Sequence, residues 1–176
     1  MRLYLIGYMG SGKSKVGSEL AAKISYPFTD MDDLFEERYR ISVLDFFRRY
    51  DEATFRKLEH QLLYQTLSAE NAVVSTGGGT PCFFDNMDFI KRNGISFYLR
   101  PDEATLIERL RHVKKKRPLI TEIPSEDLEG FVTSQIRTRE EFYLQADHVI
   151  DGEDISADRI VKVLMASSPA PLLIQE

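Results

Sequence analysis

The sequence has almost no cysteine, no surplus of basic residues and no long hydrophobic run. Its one cysteine, Cys82, cannot form a disulfide within the chain, so we expect a reducing compartment and a cytoplasmic protein. The 23 Lys and Arg residues against 28 Asp and Glu residues give a formal net charge of -5, which argues against a general nucleic-acid-binding role. No stretch approaches the roughly 18 consecutive apolar residues of a membrane span, and no basic leader precedes an apolar segment at the N-terminus. We therefore expect no membrane partner and no signal peptide.

Short apolar segments alternate with longer amphipathic segments along the chain. Segments with high β-propensity cover residues 2–6, 72–75, 95–99 and 148–150, and a short fifth segment ends near residue 30. Apolar residues recur at helical spacing within 13–25, 52–67, 126–144 and 157–166. A further helix is predicted after Asp102, which we expect to act as its N-cap.

This alternation predicts a three-layer α/β/α domain around a mostly parallel, five-stranded sheet, because parallel strands need helical crossovers that cover both faces. The chain has 176 residues, 43% of them hydrophobic, which is enough for one sizeable core. We expect one domain over residues 1–166 and a loose C-terminal tail over 167–176, which contains two prolines. We also expect a monomer.

The most specific motif lies between the first predicted strand and the first predicted helix. It fits G-x-x-x-x-G-K-[ST] and reads Gly7-Tyr8-Met9-Gly10-Ser11-Gly12-Lys13-Ser14. Its glycines let backbone N–H groups turn toward phosphate oxygens, and the helix that follows adds its positive N-terminal end. Lys13 would then reach the β- and γ-phosphates, and the Ser14 hydroxyl would ligate Mg²⁺. The motif predicts a P-loop that binds a nucleoside triphosphate.

Two acidic residues follow the second predicted strand, whose carboxyl end lies beside the P-loop in sheets of this type. Asp30 and Asp32 are spaced i, i+2, so on an extended segment their side chains point the same way. One could sit near a metal ion while the other meets a substrate hydroxyl. Solvated acids at a helix N-terminus are an equally good interpretation of the pattern by itself.

An arginine and a run of glycines form two further candidate features. Arg56 projects from the apolar face of its predicted helix, where Glu52 at i−4 and Glu59 at i+3 could simply pair with it. Three successive glycines, 77–79, end the third predicted strand. They indicate backbone that another group approaches closely, although a flexible turn would also use glycine.

A basic segment lies between two predicted helices. From Arg109 to Arg117, six of nine residues are basic and none is acidic. A nucleic-acid patch and a solvated helix C-terminus are both possible interpretations. Beside a P-loop, a local concentration of positive charge suits a triphosphate better than either, so we predict a mobile lid over about residues 112–125.

Taken together, these motifs resemble shikimate kinases, which are small P-loop kinases with the nucleoside-monophosphate-kinase fold. The resemblance runs from Arg2 to about Ile150. Its specific pieces are the P-loop, the Asp-x-Asp after the second strand, Phe-Arg-x-x-Glu on a helix, the triple glycine and Lys-Arg-Pro-Leu at residues 116–119. It implies ATP-dependent phosphorylation of the 3-hydroxyl group of shikimate, a step of aromatic amino-acid biosynthesis that leads to chorismate.

For the nucleotide, the resemblance implies binding by five consecutive P-loop residues together with Lys15 and Arg117. The five are Gly10, Ser11, Gly12, Lys13 and Ser14. Asp30 would support Mg²⁺ beside Ser14 through water, and Arg117 on the lid would contact the ATP phosphates during catalysis. Lys15 stands where the family usually has a small hydroxyl residue, which would alter contacts near the α-phosphate.

For the acceptor, the resemblance implies that Asp32 holds shikimate hydroxyls and acts as the catalytic base. Arg56 and Arg139 would grip the substrate carboxylate, since a guanidinium matches a carboxylate with two parallel hydrogen bonds. The segment Gly77, Gly78 and Gly79 would offer its backbone to the ring. A kinase of another hydroxy acid such as gluconate is the nearest alternative, and a nucleotide-binding module without catalysis is an alternative of another class.

Overall fold

A parallel sheet forms the middle layer of the protein in the computed structural model, which describes residues 1–112, 123–124 and 126–167. Its five strands in those residues are β1 (Arg2–Ile6), β2 (Phe28–Asp30), β3 (Ala72–Ser75), β4 (Ile95–Arg100) and β5 (His148–Asp151). All pairings are parallel, and the order across the sheet is β2-β3-β1-β4-β5. The predicted five-stranded parallel sheet is therefore confirmed. Because β1 is central, the loop after it leaves the middle of the carboxyl edge, where α/β proteins bind their ligands.

Helices cover both faces of this sheet. Within the described ranges they are α1 (Lys13–Lys23), α2 (Met31–Tyr39), α3 (Val43–Arg49), α4 (Glu52–Gln65), α5 (Asn86–Asn93), α6 (Glu103–Arg111), α7 (Leu128–Tyr143) and α8 (Ala157–Ser167). The predicted helices correspond to α1, α4, α6, α7 and α8. Asp102 occupies the N-cap position of α6 as predicted, although its side chain makes no capping hydrogen bond.

Two hydrophobic cores lie on opposite faces of the sheet. Leu3 and Leu5 of β1 pack into the core formed with α1 and α8, whereas Tyr4 and Ile6 pack into the core formed with α2, α4, α5, α6 and α7. All four side chains are fully buried. This explains why β1 is apolar at every position after Arg2, since a strand covered on both faces has no solvent side.

Parts of two predicted segments lie outside the described residues. These are 113–122 and 125 of the predicted lid and 168–176 of the predicted tail. Helix α8 ends at Ser167, one residue later than predicted. In the ranges that the structure covers, no helix is both long enough and apolar enough to cross a lipid bilayer.

Candidate active site

The P-loop connects β1 to α1 at the carboxyl edge of the sheet. Gly10 and Gly12 have positive φ angles of 81° and 97°, which L side chains rarely adopt. Helix α1 begins directly after Gly12, and no side chain caps its first turn. The N–H groups at that end can therefore donate to an anion, and the helix dipole favours negative charge there.

The ammonium group of Lys13 is held against the P-loop. Its Nζ donates to the carbonyl oxygens of Gly7 at 2.8 Å and Tyr8 at 2.9 Å, and more weakly to Ser11 Oγ at 3.4 Å. Lys13 is 8% exposed and lines the larger of two cavities at this edge of the sheet. A positive charge held at a helix N-terminus is suited to polyphosphate binding.

The larger cavity has a volume of about 250 Å³ and is lined by Met9, Gly10, Gly12, Lys13, Ser14, Lys15, Asp30, Asp32, Ser75, Thr76, Gly77, Gly78 and Leu110. The smaller has a volume of about 60 Å³ and is lined by Met9, Asp32, Val43, Phe47, Phe55, Arg56, Glu59, Gly77, Gly78, Gly79 and Arg139. Four residues line both, namely Met9, Asp32, Gly77 and Gly78. The two cavities therefore meet beside the Asp32 carboxylate, with the P-loop on one side and two arginines on the other.

Ser14 and Asp30 bring two oxygen ligands together in the larger cavity. Ser14 Oγ donates to Asp30 Oδ2 at 2.5 Å. The other carboxylate oxygen, Oδ1, accepts the backbone N–H of Asp32 at 3.0 Å and so caps α2. A hydroxyl and a carboxylate beside a phosphate site match the hard oxygen ligands of Mg²⁺, which usually takes only one or two protein ligands and completes its shell with water and substrate phosphates.

Arg56 lies buried beside the smaller cavity and is 5% exposed. Its Nη1 donates to Glu59 Oε2 at 2.9 Å, while Nε and Nη2 both donate to Glu52 Oε1, at 3.1 and 2.9 Å. The guanidinium also lies over the Phe83 ring, 4.4 Å from its centroid. Burial by itself would lower the pKa of Arg56, but Glu59 and Glu52 raise it above the ordinary value. The pairing with both glutamates that the sequence suggested is thus present, on an arginine that also faces a cavity.

The glycine run makes room for this buried cluster. A Cβ on Gly79 would lie 2.6 Å from Arg56 Nη2, and one on Gly77 would lie 2.4 Å from Glu59 Oε1. The close approach that the sequence indicated is therefore made by the protein's own arginine and glutamate. Gly78 instead packs on the P-loop, where a Cβ would be 3.1 Å from the backbone nitrogen of Met9.

The second predicted arginine, Arg139 of α7, also borders the smaller cavity. It is 8% exposed, and its Nη2 donates to Gln135 Oε1 at 2.7 Å. Its guanidinium lies over the ring of Tyr8, 5.5 Å from the ring centre, so Arg139 packs against a P-loop residue. Fold and packing thus bring Arg56 and Arg139 to one pocket from two different helices.

The basic segment reaches the P-loop through Arg109, the first of its basic residues. Arg109 Nη1 donates to the carbonyl oxygen of Gly10 at 3.1 Å. Leu110 is buried beneath the same glycine. Lys15 is exposed in the first turn of α1 and lines the larger cavity. Arg117, predicted to contact ATP, lies outside the described residues.

Three buried residues complete the site, and two of them carried no sequence signal. Glu59 accepts the Thr80 hydroxyl at 2.7 Å, and complete burial raises its pKa because Arg56 and Thr80 only partly offset the lost hydration. Tyr143 donates its hydroxyl to the carbonyl oxygen of Gly78. Burial also raises the pKa of Tyr8 to about 12, although the charge of Arg139 opposes the shift. Only Glu59 was detectable from the sequence, through its i+3 spacing from Arg56.

Sequence comparison finds one family over nearly the whole chain. The family model described as shikimate kinase matches residues 9–168. The shikimate kinase of Bacteroides thetaiotaomicron is 38% identical over 155 residues, which cover 88% of this chain and 89% of that protein. The shikimate kinase of Phocaeicola vulgatus is 38% identical over 166 residues, covering 94% and 95% of the two chains.

Structure comparison gives the same family. The shikimate kinase structure from Bacteroides thetaiotaomicron has a TM-score of 0.86 at 36% identity and covers 94% of this chain and 97% of its own. The Acinetobacter baumannii shikimate kinase in complex with shikimate has a TM-score of 0.88 at 27% identity, covering 96% and 95%. A deoxyadenosine kinase from M. mycoides with bound dATP has a TM-score of 0.59 at 20% identity, which shows a common fold only.

Proposed function

The chain belongs to the shikimate kinase family, and from that premise we propose that it transfers the γ-phosphoryl group of ATP to the 3-hydroxyl group of shikimate. The products are shikimate 3-phosphate and ADP, in the pathway to chorismate and the aromatic amino acids. Family membership confirms the predicted resemblance and the predicted ATP-dependent kinase class. The residue assignments rest on one observation, that the two cavities meet at Asp32.

The larger cavity is the ATP side of the proposed site. The N–H groups at the start of α1 and the Lys13 ammonium would bind the phosphates, with Lys15 adding a cation nearby. Ser14, and Asp30 through water, would hold Mg²⁺, which would supply positive charge to offset the negative charge of the phosphates. Arg117 remains the predicted lid contact to the phosphates.

The smaller cavity is the acceptor side. Asp32 would accept the proton of the 3-hydroxyl group. The hydroxyl oxygen would form a bond to the γ-phosphorus, while the bond between that phosphorus and the bridging oxygen of ADP breaks. Asp32 is half-buried and lines both cavities, which is the position that a base between donor and acceptor requires. The triple glycine lines the same pocket and would present backbone groups to the ring.

A carboxylate clamp and an apolar wall favour shikimate over an open-chain acid. Arg56 and Arg139 provide two buried guanidinium groups in one pocket. Val43, Phe47 and Phe55 provide an apolar surface in that pocket, which suits the carbon face of a ring better than the hydroxylated chain of gluconate. The same clamp disfavours a binding module without catalysis, which would need neither the base nor the arginines.

A coupled assay of ADP release with shikimate, with gluconate and without an acceptor tests this proposal. We expect turnover with shikimate, little with gluconate and only slow release without an acceptor. Equal rates with the two acids would contradict the proposed acceptor. ATP binding with no acceptor-dependent release would indicate a binding module.

We propose a monomer as the working unit. The net charge of -5 disfavours nucleic acid as a partner, and the single cysteine suits the cytoplasm. Light scattering of the purified chain would check the monomer, with a mass near 20.3 kDa expected.

A further inference from the structure

Two glutamates hold Arg56, and they differ in how firmly they are fixed. Glu59 is 4% exposed, and its two oxygens accept from different partners, Arg56 Nη1 and Thr80 Oγ1. A Cβ on Gly77 would nearly touch this carboxylate, so the surrounding chain closes around it. Glu52 lies in the first turn of α4, and its side chain is 46% exposed. Glu52 can therefore turn into solvent, whereas Glu59 has no room to leave.

The hydrogen bonds between Glu52 and Arg56 also depart from the best carboxylate–guanidinium geometry. Nε and Nη2 of Arg56 form the edge that matches a carboxylate with two parallel hydrogen bonds. Both of these groups donate to one oxygen, Glu52 Oε1, at 3.1 and 2.9 Å. A carboxylate that placed one oxygen on each nitrogen would make the better pair, and Glu52 reaches this edge only from its position one helical turn away on the same helix.

The formal charges around the smaller cavity favour release of Glu52 when an anion binds. Arg56 and Arg139 contribute two positive charges, while Asp32, Glu52 and Glu59 contribute three negative ones. An entering carboxylate therefore meets a net negative environment as long as Glu52 stays on the arginine. Once Glu52 turns into water, the charges of the remaining four groups balance.

We propose that Glu52 is an internal competitor for the acceptor's carboxylate, which displaces it from the Nε–Nη2 edge of Arg56. Glu52 thereby sets the affinity for the acceptor without taking part in phosphoryl transfer. In the absence of acceptor it keeps the Nε–Nη2 edge of the buried guanidinium hydrogen-bonded, which avoids the cost of leaving those donors without a partner. The proposal rests on the function proposed above, in which Arg56 binds the substrate carboxylate.

The test measures shikimate binding and turnover for Glu52→Gln and Glu52→Ala. We expect the KM for shikimate, and its Kd in calorimetric titration, to fall about three- to fivefold. A change of this size corresponds to the interaction free energy typical of a half-exposed ion pair. The kcat and the KM for ATP should stay within twofold of wild type. Glu37→Gln, which removes a similar charge from an exposed helical position in α2, should leave the KM for shikimate unchanged.

A rise in the KM for shikimate in the Glu52 variants would overturn the proposal, because it would make Glu52 a positioning residue that Arg56 needs. An unchanged KM would overturn it equally. Arg56→Lys measured alongside separates the two proposals. If Arg56→Lys leaves the KM for shikimate unaltered, the carboxylate clamp itself is wrong. If Arg56→Lys raises that KM and Glu52→Gln does not lower it, only the competitor is wrong.

Discussion

Gly79→Ala tests directly how the buried arginine is held. Gly79 has φ −98° and ψ −13°, which any residue can adopt, so alanine adds a Cβ without backbone strain. That Cβ would lie 2.6 Å from Nη2 and 2.8 Å from both Cζ and Nη1 of Arg56. The guanidinium cannot retreat without disturbing its contacts with Glu52, Glu59 and Phe83. The alanine side chain should therefore displace the Arg56 guanidinium from its present contacts.

The expected magnitude follows from overpacking in a buried site, which typically costs about 1–3 kcal/mol. For a chain of this size that corresponds to a fall in Tm of about 2–12 °C. Loss of one charge-assisted hydrogen bond to the acceptor would raise the KM for shikimate by about tenfold or more. The KM for ATP should change little, because Gly79 lines the smaller cavity and not the larger one.

Urea unfolding and initial-rate kinetics of the same preparations provide the assay. Gly130→Ala is the matched control, because a Cβ on Gly130, within α7, meets nothing within 4 Å. Replacing a glycine inside a helix should stabilise the protein by up to about 1 kcal/mol. If Gly79→Ala kept wild-type stability and wild-type KM for shikimate, Arg56 would not be fixed as described.

Three further substitutions test separate parts of the site. Arg56→Lys keeps the charge but loses the two parallel N–H donors. Initial-rate kinetics should therefore show a KM for shikimate raised about 10- to 150-fold, with the KM for ATP nearly unchanged. If the KM for an acceptor that lacks the carboxylate rose equally, Arg56 would be structural. Tyr8→Phe should resist alkaline unfolding better than wild type. Burial raises the pKa of Tyr8 from 10.0 to about 12, so the unfolded chain loses the phenolic proton at a lower pH than the folded protein. The stability of the wild type should therefore fall as the pH rises from 10.0 to about 12. The difference should reach roughly 2–3 kcal/mol near pH 12 in the free energy of unfolding measured against pH, and parallel curves for the two proteins would contradict it. Ser14→Ala should raise the Mg²⁺ concentration needed for half-maximal rate without changing the KM for shikimate, and an unchanged Mg²⁺ requirement would remove Ser14 from the metal site.

Most of the sheet was predictable because β1, β3 and β4 are short apolar segments with a helix or a turn on either side. The two helices that the sequence did not indicate are short. Helix α3 (Val43–Arg49) has seven residues and α5 (Asn86–Asn93) has eight, which is too few turns for a helical period to stand out. Helix α2 (Met31–Tyr39) follows directly on β2, so the same acids fit both the end of a strand and the start of a helix.

The candidate site was predictable where local spacing carries the information. The P-loop is contiguous, and the i+3 and i−4 glutamates around Arg56 share its helix, so the ion pairs follow from the sequence. The contacts of Gly79 with Arg56 and of Tyr8 with Arg139 join residues far apart in the chain. No periodicity encodes such contacts, which come from the packing of α4 and α7 against loops at the sheet edge.

The central claim is that Asp32 serves as the base between an ATP site and an acceptor site. The most direct measurement is the rate of shikimate 3-phosphate formation by Asp32→Asn, together with the Kd for ATP of the same protein. The account predicts a rate reduced by about 10²- to 10⁴-fold, because general-base catalysis is lost, and a Kd for ATP close to that of wild type. A rate within about threefold of wild type would contradict it.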